Sequence, residues 1–191
     1  SISAFFIGGG SYTFPRWVLH EWPGSDVLVA EIDPMVLEAN HAALGLPRDT
    51  PIRTVCMDAR NAVDDLAEDR RFDFIFGDAF NDLSIPFHLT TLEFAQKLHK
   101  HLKPDGAYMI NVIDDYRSGL LLGSLVGTLK KVFKHVHVYC TQKKGVQNSR
   151  DTFVIAASDA RLDNSDWVAG HETEFCGSVL GDENLLALQE K

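Results

Sequence analysis

Residues 4–11 read Ala-Phe-Phe-Ile-Gly-Gly-Gly-Ser. An apolar run that breaks into three glycines constrains this chain more than any other feature. Glycine lets the backbone turn sharply and lets a ligand approach the main chain. A short helical stretch follows over 14–22, and the next apolar run, Val27-Leu28-Val29-Ala30, closes on Glu31. A carboxylate at the end of a second strand is placed to accept hydrogen bonds from the ribose hydroxyls of an adenine nucleoside or nucleotide. Gly8, Gly9, Gly10 and Glu31 therefore point to an adenosine-containing cofactor, without yet choosing one.

Strand-like and helix-like stretches alternate after this opening. Strands are expected over 2–7, 27–31, 52–56, 72–77 and 107–112, with helices over 14–22, 35–44, 59–66 and 120–133. Pro34 suits the first turn of its helix, where a missing N–H costs nothing. The nearly all-apolar run 72–77 reads as a buried parallel strand. Thr90 and Glu93 have capping-box spacing and predict a helix from there to Leu102, and Lys103-Pro104-Asp105-Gly106 predicts a turn. Residues 136–140 and 152–157, joined by a polar loop, read as an antiparallel hairpin. The expected fold is α/β: a doubly wound, mostly parallel sheet of seven strands, Rossmann-like, closed by that C-terminal hairpin. This suits an S-adenosylmethionine-dependent methyltransferase-like sheet better than a two-half dinucleotide fold. Residues 1–158 form the expected catalytic domain, and 159–191 a polar extension with short helices.

Composition narrows the class. At 191 residues the chain holds one sizeable core. Its net charge of -9 disfavours nucleic acid as a partner, which needs a clustered basic surface. No apolar run is long enough to span a membrane and no signal-peptide pattern opens the chain. Cys56, Cys140 and Cys176 are widely spaced and form no metal or disulfide pattern. Reduced thiols, a cytoplasmic location and no metal are expected. The first residues already read as a core strand, so an N-terminal element is expected to precede them.

In an open α/β sheet, ligands sit beyond the carboxyl ends of the strands. Four of the five strand ends there deliver a carboxylate: Glu31 with Ile32 beside it, Asp58 with Ala59, Asp78, and Asp114. Asp58 suits an adenine amino group, with the Ala59 amide as donor, and equally suits a helix N-cap. Asp78 follows an apolar strand, so its carboxylate is expected to be partly desolvated and able to hold or deprotonate an amine. Asp82 and Asp114 are candidate contacts for a cationic substrate. Tyr12, Phe80 and Tyr116 are candidate pocket walls. His88 is a candidate to face the cleft, although a lone histidine before a helix reads first as structural. Two rival motifs fail at one residue: Thr13 stands where both the dinucleotide fingerprint and a nucleophile elbow require glycine.

Together, Ile7-Gly8-Gly9-Gly10, Val29-Ala30-Glu31-Ile32-Asp33-Pro34, Asp58-Ala59-Arg60, Phe72–Asp78 and Leu102-Lys103-Pro104-Asp105-Gly106 resemble the spermidine/spermine synthase family over residues 4–157, and its spermidine synthase-like branch in particular. That family comprises polyamine aminopropyltransferases on a methyltransferase-like fold. The resemblance implies that Glu31 binds ribose, Asp58 and Ala59 bind adenine, and Asp78 is the catalytic aspartate. It implies attack by a putrescine-type amine on decarboxylated S-adenosylmethionine, and a homodimer as an expected assembly. Three departures stand out. Ser11 and Tyr12 replace an aspartate and a glycine of the family's glycine-rich turn. The acid after Asp78 falls at Asp82, out of register and with no proline next. Residues 1–191 are expected not to include the family's N-terminal strand domain. Methyl transfer from intact S-adenosylmethionine, and a nucleoside-binding module without turnover, stay open beside aminopropyl transfer.

Overall fold

A computed structural model describes residues 1–81, 84–115, 119–140, 150–162 and 180. It contains β1 (Ser3–Ile7), α1 (Thr13–Glu21), β2 (Asp26–Ala30), α2 (Pro34–Ala43), β3 (Arg53–Val55), α3 (Ala59–Asp64), β4 (Phe72–Gly77), a 3-10 turn (Phe87–Leu89), α4 (Leu92–Lys100), β5 (Leu102–Asp114), α5 (Leu120–Leu129), β6 (His135–Cys140) and β7 (Asp151–Ser158). The seven strands form one sheet in the order β3-β2-β1-β4-β5-β7-β6. β1 to β5 run parallel, and β7 is antiparallel to both β5 and β6. The expected doubly wound sheet with a closing hairpin is therefore the observed one.

Alternation along the strands builds two apolar layers. Phe5 and Ile7 of β1, with Leu28 and Ile75, face a core shared with α3, α4 and α5. Ala4 and Phe6, with Val27, Val29 and Phe76, face a smaller core that includes Val18 of α1 and Leu46 beyond α2. Burial on both faces explains why these strands read as continuous apolar runs.

Two local expectations need correction. Thr91, not Thr90, caps α4: its hydroxyl accepts from the Phe94 amide at 3.3 Å, while Thr90 donates to the Phe87 carbonyl at 2.7 Å. Thr90 ends the 3-10 turn instead, so the capping-box spacing was one residue out of step. The Lys103-Pro104-Asp105-Gly106 turn is absorbed into β5 as a bulge. Leu102 pairs with Phe72 and Ala107 with Phe74, so five steps on β5 oppose two on β4. Gly106 permits this, because a Cβ there would lie 2.9 Å from the Phe72 carbonyl oxygen.

The strand order reverses between β1 and β4, the place where such sheets bind ligands. Gly8 has φ +96°, and a Cβ on it would sit 2.7 Å from the Asp78 carbonyl oxygen. The Asp78 amide in turn donates to the Ile7 carbonyl at 2.9 Å. At the opposite edge Asp26 is bound by Arg53 (2.8 Å) and Arg70. Burial alone would raise the Asp26 pKa, but its hydrogen bonds from Arg70 and Arg53 outweigh that and hold it below the usual carboxylate value.

Gly8→Ala should destabilise the fold by about 3 kcal/mol or more, because it combines strained backbone with overlap against a main-chain oxygen; thermal unfolding measures this. The depressed folded-state pKa of Asp26 gives stabilisation that is present above about pH 4 and lost as pH falls through the folded value. Stability measured against pH should therefore fall in acid, and less steeply in Asp26→Asn.

Candidate active site

The carboxyl ends of β1 to β4 open into a cleft of about 340 Å³. Gly8 and Gly10 form one rim of it, and Glu31 and Ile32 another. Glu31 is 7% exposed, and its two oxygens accept from the Gly9 amide (2.8 Å) and the Asp33 amide (3.0 Å). The carboxylate is thus fixed by main-chain donors and keeps unused lone pairs for ribose hydroxyls. Asn40 of α2 braces the same turn from behind, donating to the Gly10 carbonyl at 2.7 Å.

Asp58 sits across the cleft, at the start of α3. One oxygen accepts from the Arg60 amide at 2.8 Å, so the N-cap role is real. The other lies 2.8 Å from His88 Nε2. His88 lines the cleft, and Arg60 donates to the His88 carbonyl at 2.8 Å. The segment after β4 is therefore tied to the start of α3 through both Asp58 and Arg60, which also donates to the Thr91 hydroxyl at 3.3 Å. Both sequence readings of His88, facing the cleft and structural, are compatible with its place: it lines the cleft and its ring meets Asp58. No motif announces such a pair, because its partners lie thirty residues apart.

Asp78 stands one residue beyond β4, on the lip of the cleft. It is exposed, not partly desolvated as expected, because its neighbours at the strand end do not close over it. Its Oδ1 accepts from Asn111 Nδ2 of β5 at 2.9 Å. Asn111 went unnoticed in the sequence, since a single polar residue in an apolar strand has no signature. Register supplies the signal: Gly77 pairs with Ile110, so Asp78 and Asn111 are the next neighbours.

Two candidate contacts lie elsewhere. Tyr12 is not a wall of the cleft; it is fully buried in the smaller core, with its hydroxyl 3.1 Å from the Thr54 hydroxyl. Its ring lies beneath Gly9, where a Cβ would come within 2.7 Å of it. Tyr12 itself has φ 54°, an uncommon value outside glycine. Burial pushes its phenol above the ordinary tyrosine pKa, against the opposing Thr54 hydrogen bond. Asp114 does not reach the cleft either. Both of its oxygens cap main-chain amides, those of Asp115 (2.8 Å) and Leu122 (2.9 Å), at the start of α5. Asp82 and Tyr116 lie outside the described residues. Gly8, Gly10, Glu31, Ile32, Asp58, Ala59 and Asp78 all border the one cleft, and Gly9 supplies an amide to Glu31.

The described lining carries three carboxylates and no lysine or arginine. Ile32, Val36, Met57 and Leu89 add apolar surface suited to a planar base. A ligand with an adenosine end and a cationic end fits this arrangement of charge. Among the described residues no group of histidine, cysteine and acidic side chains could hold a metal ion, and no helix is long and apolar enough to cross a membrane.

No protein-family model matches the chain. It is 29% identical over 133 residues to a probable polyamine aminopropyl transferase of Bifidobacterium longum, covering 69% of this chain and 29% of that protein. It is 32% identical over 139 residues to an N-terminal histidine N-methyltransferase of Emericella nidulans, covering 69% of this chain and 23% of that protein. The chain thus spans less than a third of either relative. Among solved structures, a probable spermidine synthase from Corynebacterium glutamicum superposes with a TM-score of 0.75 at 24% identity, covering 87% of this chain and 59% of that one. Human methyltransferase-like protein 13, in complex with SAH, superposes with a TM-score of 0.68 at 22% identity, covering 99% and 81%. The resemblance to spermidine synthase-like proteins on a methyltransferase-like fold is borne out, and both sequence relatives are transferases by name.

Tyr12→Ala should lower stability by about 3–5 kcal/mol, as expected for removing a buried aromatic. It should also weaken adenosine-ligand binding, because the glycine turn loses its underside. Unfolding curves and calorimetry on the same variant test both effects.

Proposed function

We propose that this chain binds an S-adenosylmethionine-type ligand in the cleft and transfers its aminopropyl group to a polyamine-type amine. The observation that carries this reading is the convergence of Glu31, Asp58 and Asp78 on one cleft beside the glycine turn. Glu31 holds the ribose hydroxyls, and Asp58 with the Ala59 amide reads the adenine edge. When bound, the sulfonium supplies an electrophilic carbon and a neutral thioether leaving group. Asp78 holds the amine by charge and accepts its proton as nitrogen bonds to that carbon and the carbon–sulfur bond breaks. Methylthioadenosine and the elongated polyamine are the products. Positioning and a fixed negative charge account for most of the expected rate gain.

The three carboxylates among the described cleft residues support the decarboxylated donor, since they repel the additional carboxylate of the intact form. Ser11 favours the second reading, methyl transfer. It stands where the family carries an aspartate, and a neutral hydroxyl beside the glycine turn, 2.8 Å from that of Thr13, repels a carboxylate less than an aspartate would. The relative named as an N-methyltransferase is consistent with that alternative.

Calorimetry with S-adenosylmethionine, its decarboxylated form and methylthioadenosine separates the two. Tighter binding of the decarboxylated form is expected; preference for the intact form supports methyl transfer, and binding of none defeats both. Asp78→Asn should reduce turnover by about 100-fold or more while leaving nucleoside affinity within about two-fold. A fully active variant removes Asp78 from the chemistry.

A further inference from the structure

Asn111 occupies an unusual position. It lies within β5 and is half-buried, on the face of the strand opposite the 2% and 0% exposed Ile110 and Val112. Its side-chain nitrogen donates to Asp78 Oδ1 at 2.9 Å. The orientation of the amide is fixed by chemistry, because a carboxylate can only accept. Its own oxygen is buried and has no partner. A buried acceptor without a donor opposes folding, whereas an apolar residue of similar shape at this point would carry no such cost. The unpartnered oxygen gives no reason for an amide on this half-buried face of β5, and the contact of its nitrogen with Asp78 does.

We propose that Asn111 is the positioning residue for Asp78, an inference that rests on the amine-acceptor reading above. Its donor pins one carboxylate oxygen, and the other is left to receive the amine. A neutral donor performs this task without cancelling the negative charge that attracts a cationic substrate. A lysine or arginine at this point would fix the carboxylate and neutralise it together. The parallel register sets the geometry: β4 and β5 run side by side to Gly77 and Ile110, so the next residue of each strand meets its neighbour across the lip of the cleft.

The test is titration calorimetry of putrescine into protein saturated with methylthioadenosine, for wild type, Asn111→Leu, Asn111→Ala, Asp78→Asn and the Asp78→Asn/Asn111→Leu pair. Each Asn111 variant should bind putrescine about ten-fold or more weakly, the loss expected for one hydrogen bond to a charged group. Methylthioadenosine affinity should stay within about two-fold, and the Asn111→Leu unfolding midpoint should equal or exceed that of wild type. The pair should be no weaker than Asp78→Asn alone, because Asn111 acts only through Asp78. Wild-type putrescine affinity in both Asn111 variants overturns the proposal. So does an additive loss in the pair, or a loss that tracks a lowered midpoint. A wild type that binds methylthioadenosine but no putrescine overturns it while the adenosine-ligand reading stands. A wild type that binds neither overturns both.

Discussion

Gly8 approaches the Asp78 main chain so closely that a Cβ would lie 2.7 Å from its carbonyl oxygen. The Asp78 amide closes on Ile7, and the Gly8 amide closes on Ala30, both at 2.9 Å. Three neighbouring strands therefore end at one level, and their chains leave in different directions. That divergence opens the cleft. It places the glycine turn, Glu31 and Asp78 around a single volume, although they come from three separate parts of the chain. Any side chain on Gly8 would push β1 and β4 apart and separate Glu31 from Asp78.

The turn beyond Gly8 is held by unusual means. Tyr12 adopts a left-handed backbone and fills the space beneath Gly9 with its ring. The strain at Tyr12 is offset by burial of a large aromatic and by its contact with Thr54 of β3. Asn40 holds the turn from the α2 side. Tyr12 is thus an anchor for the glycine loop, while Ser11 is exposed with its hydroxyl 2.8 Å from that of Thr13.

Much of this was legible before any coordinates. Apolar runs revealed the parallel strands, because residues buried on both faces leave no alternation to confuse them. Reading the residue after each strand located Glu31, Asp58 and Asp78, since a parallel sheet must bring those ends together. Other features were hidden for definite reasons. Tyr12 looked like a cleft residue because sequence does not show which way a side chain leaves a turn. Asp114 looked like a substrate contact because a capping carboxylate and a binding one have the same identity. Thr90 and Thr91 compete for one cap, and only the position of the preceding 3-10 turn decides between them. His88 and Asn111 depend on pairings across the fold, which no local pattern encodes.

The central claim is that the cleft is an adenosine site whose ribose end is Glu31. A crystal structure of the chain with methylthioadenosine tests it most directly. The account predicts both ribose hydroxyls within about 2.6–3.2 Å of the Glu31 carboxylate, with the adenine lying between Ile32 and the Asp58–His88 pair. A nucleoside bound elsewhere, or bound in the cleft with its ribose away from Glu31, contradicts it.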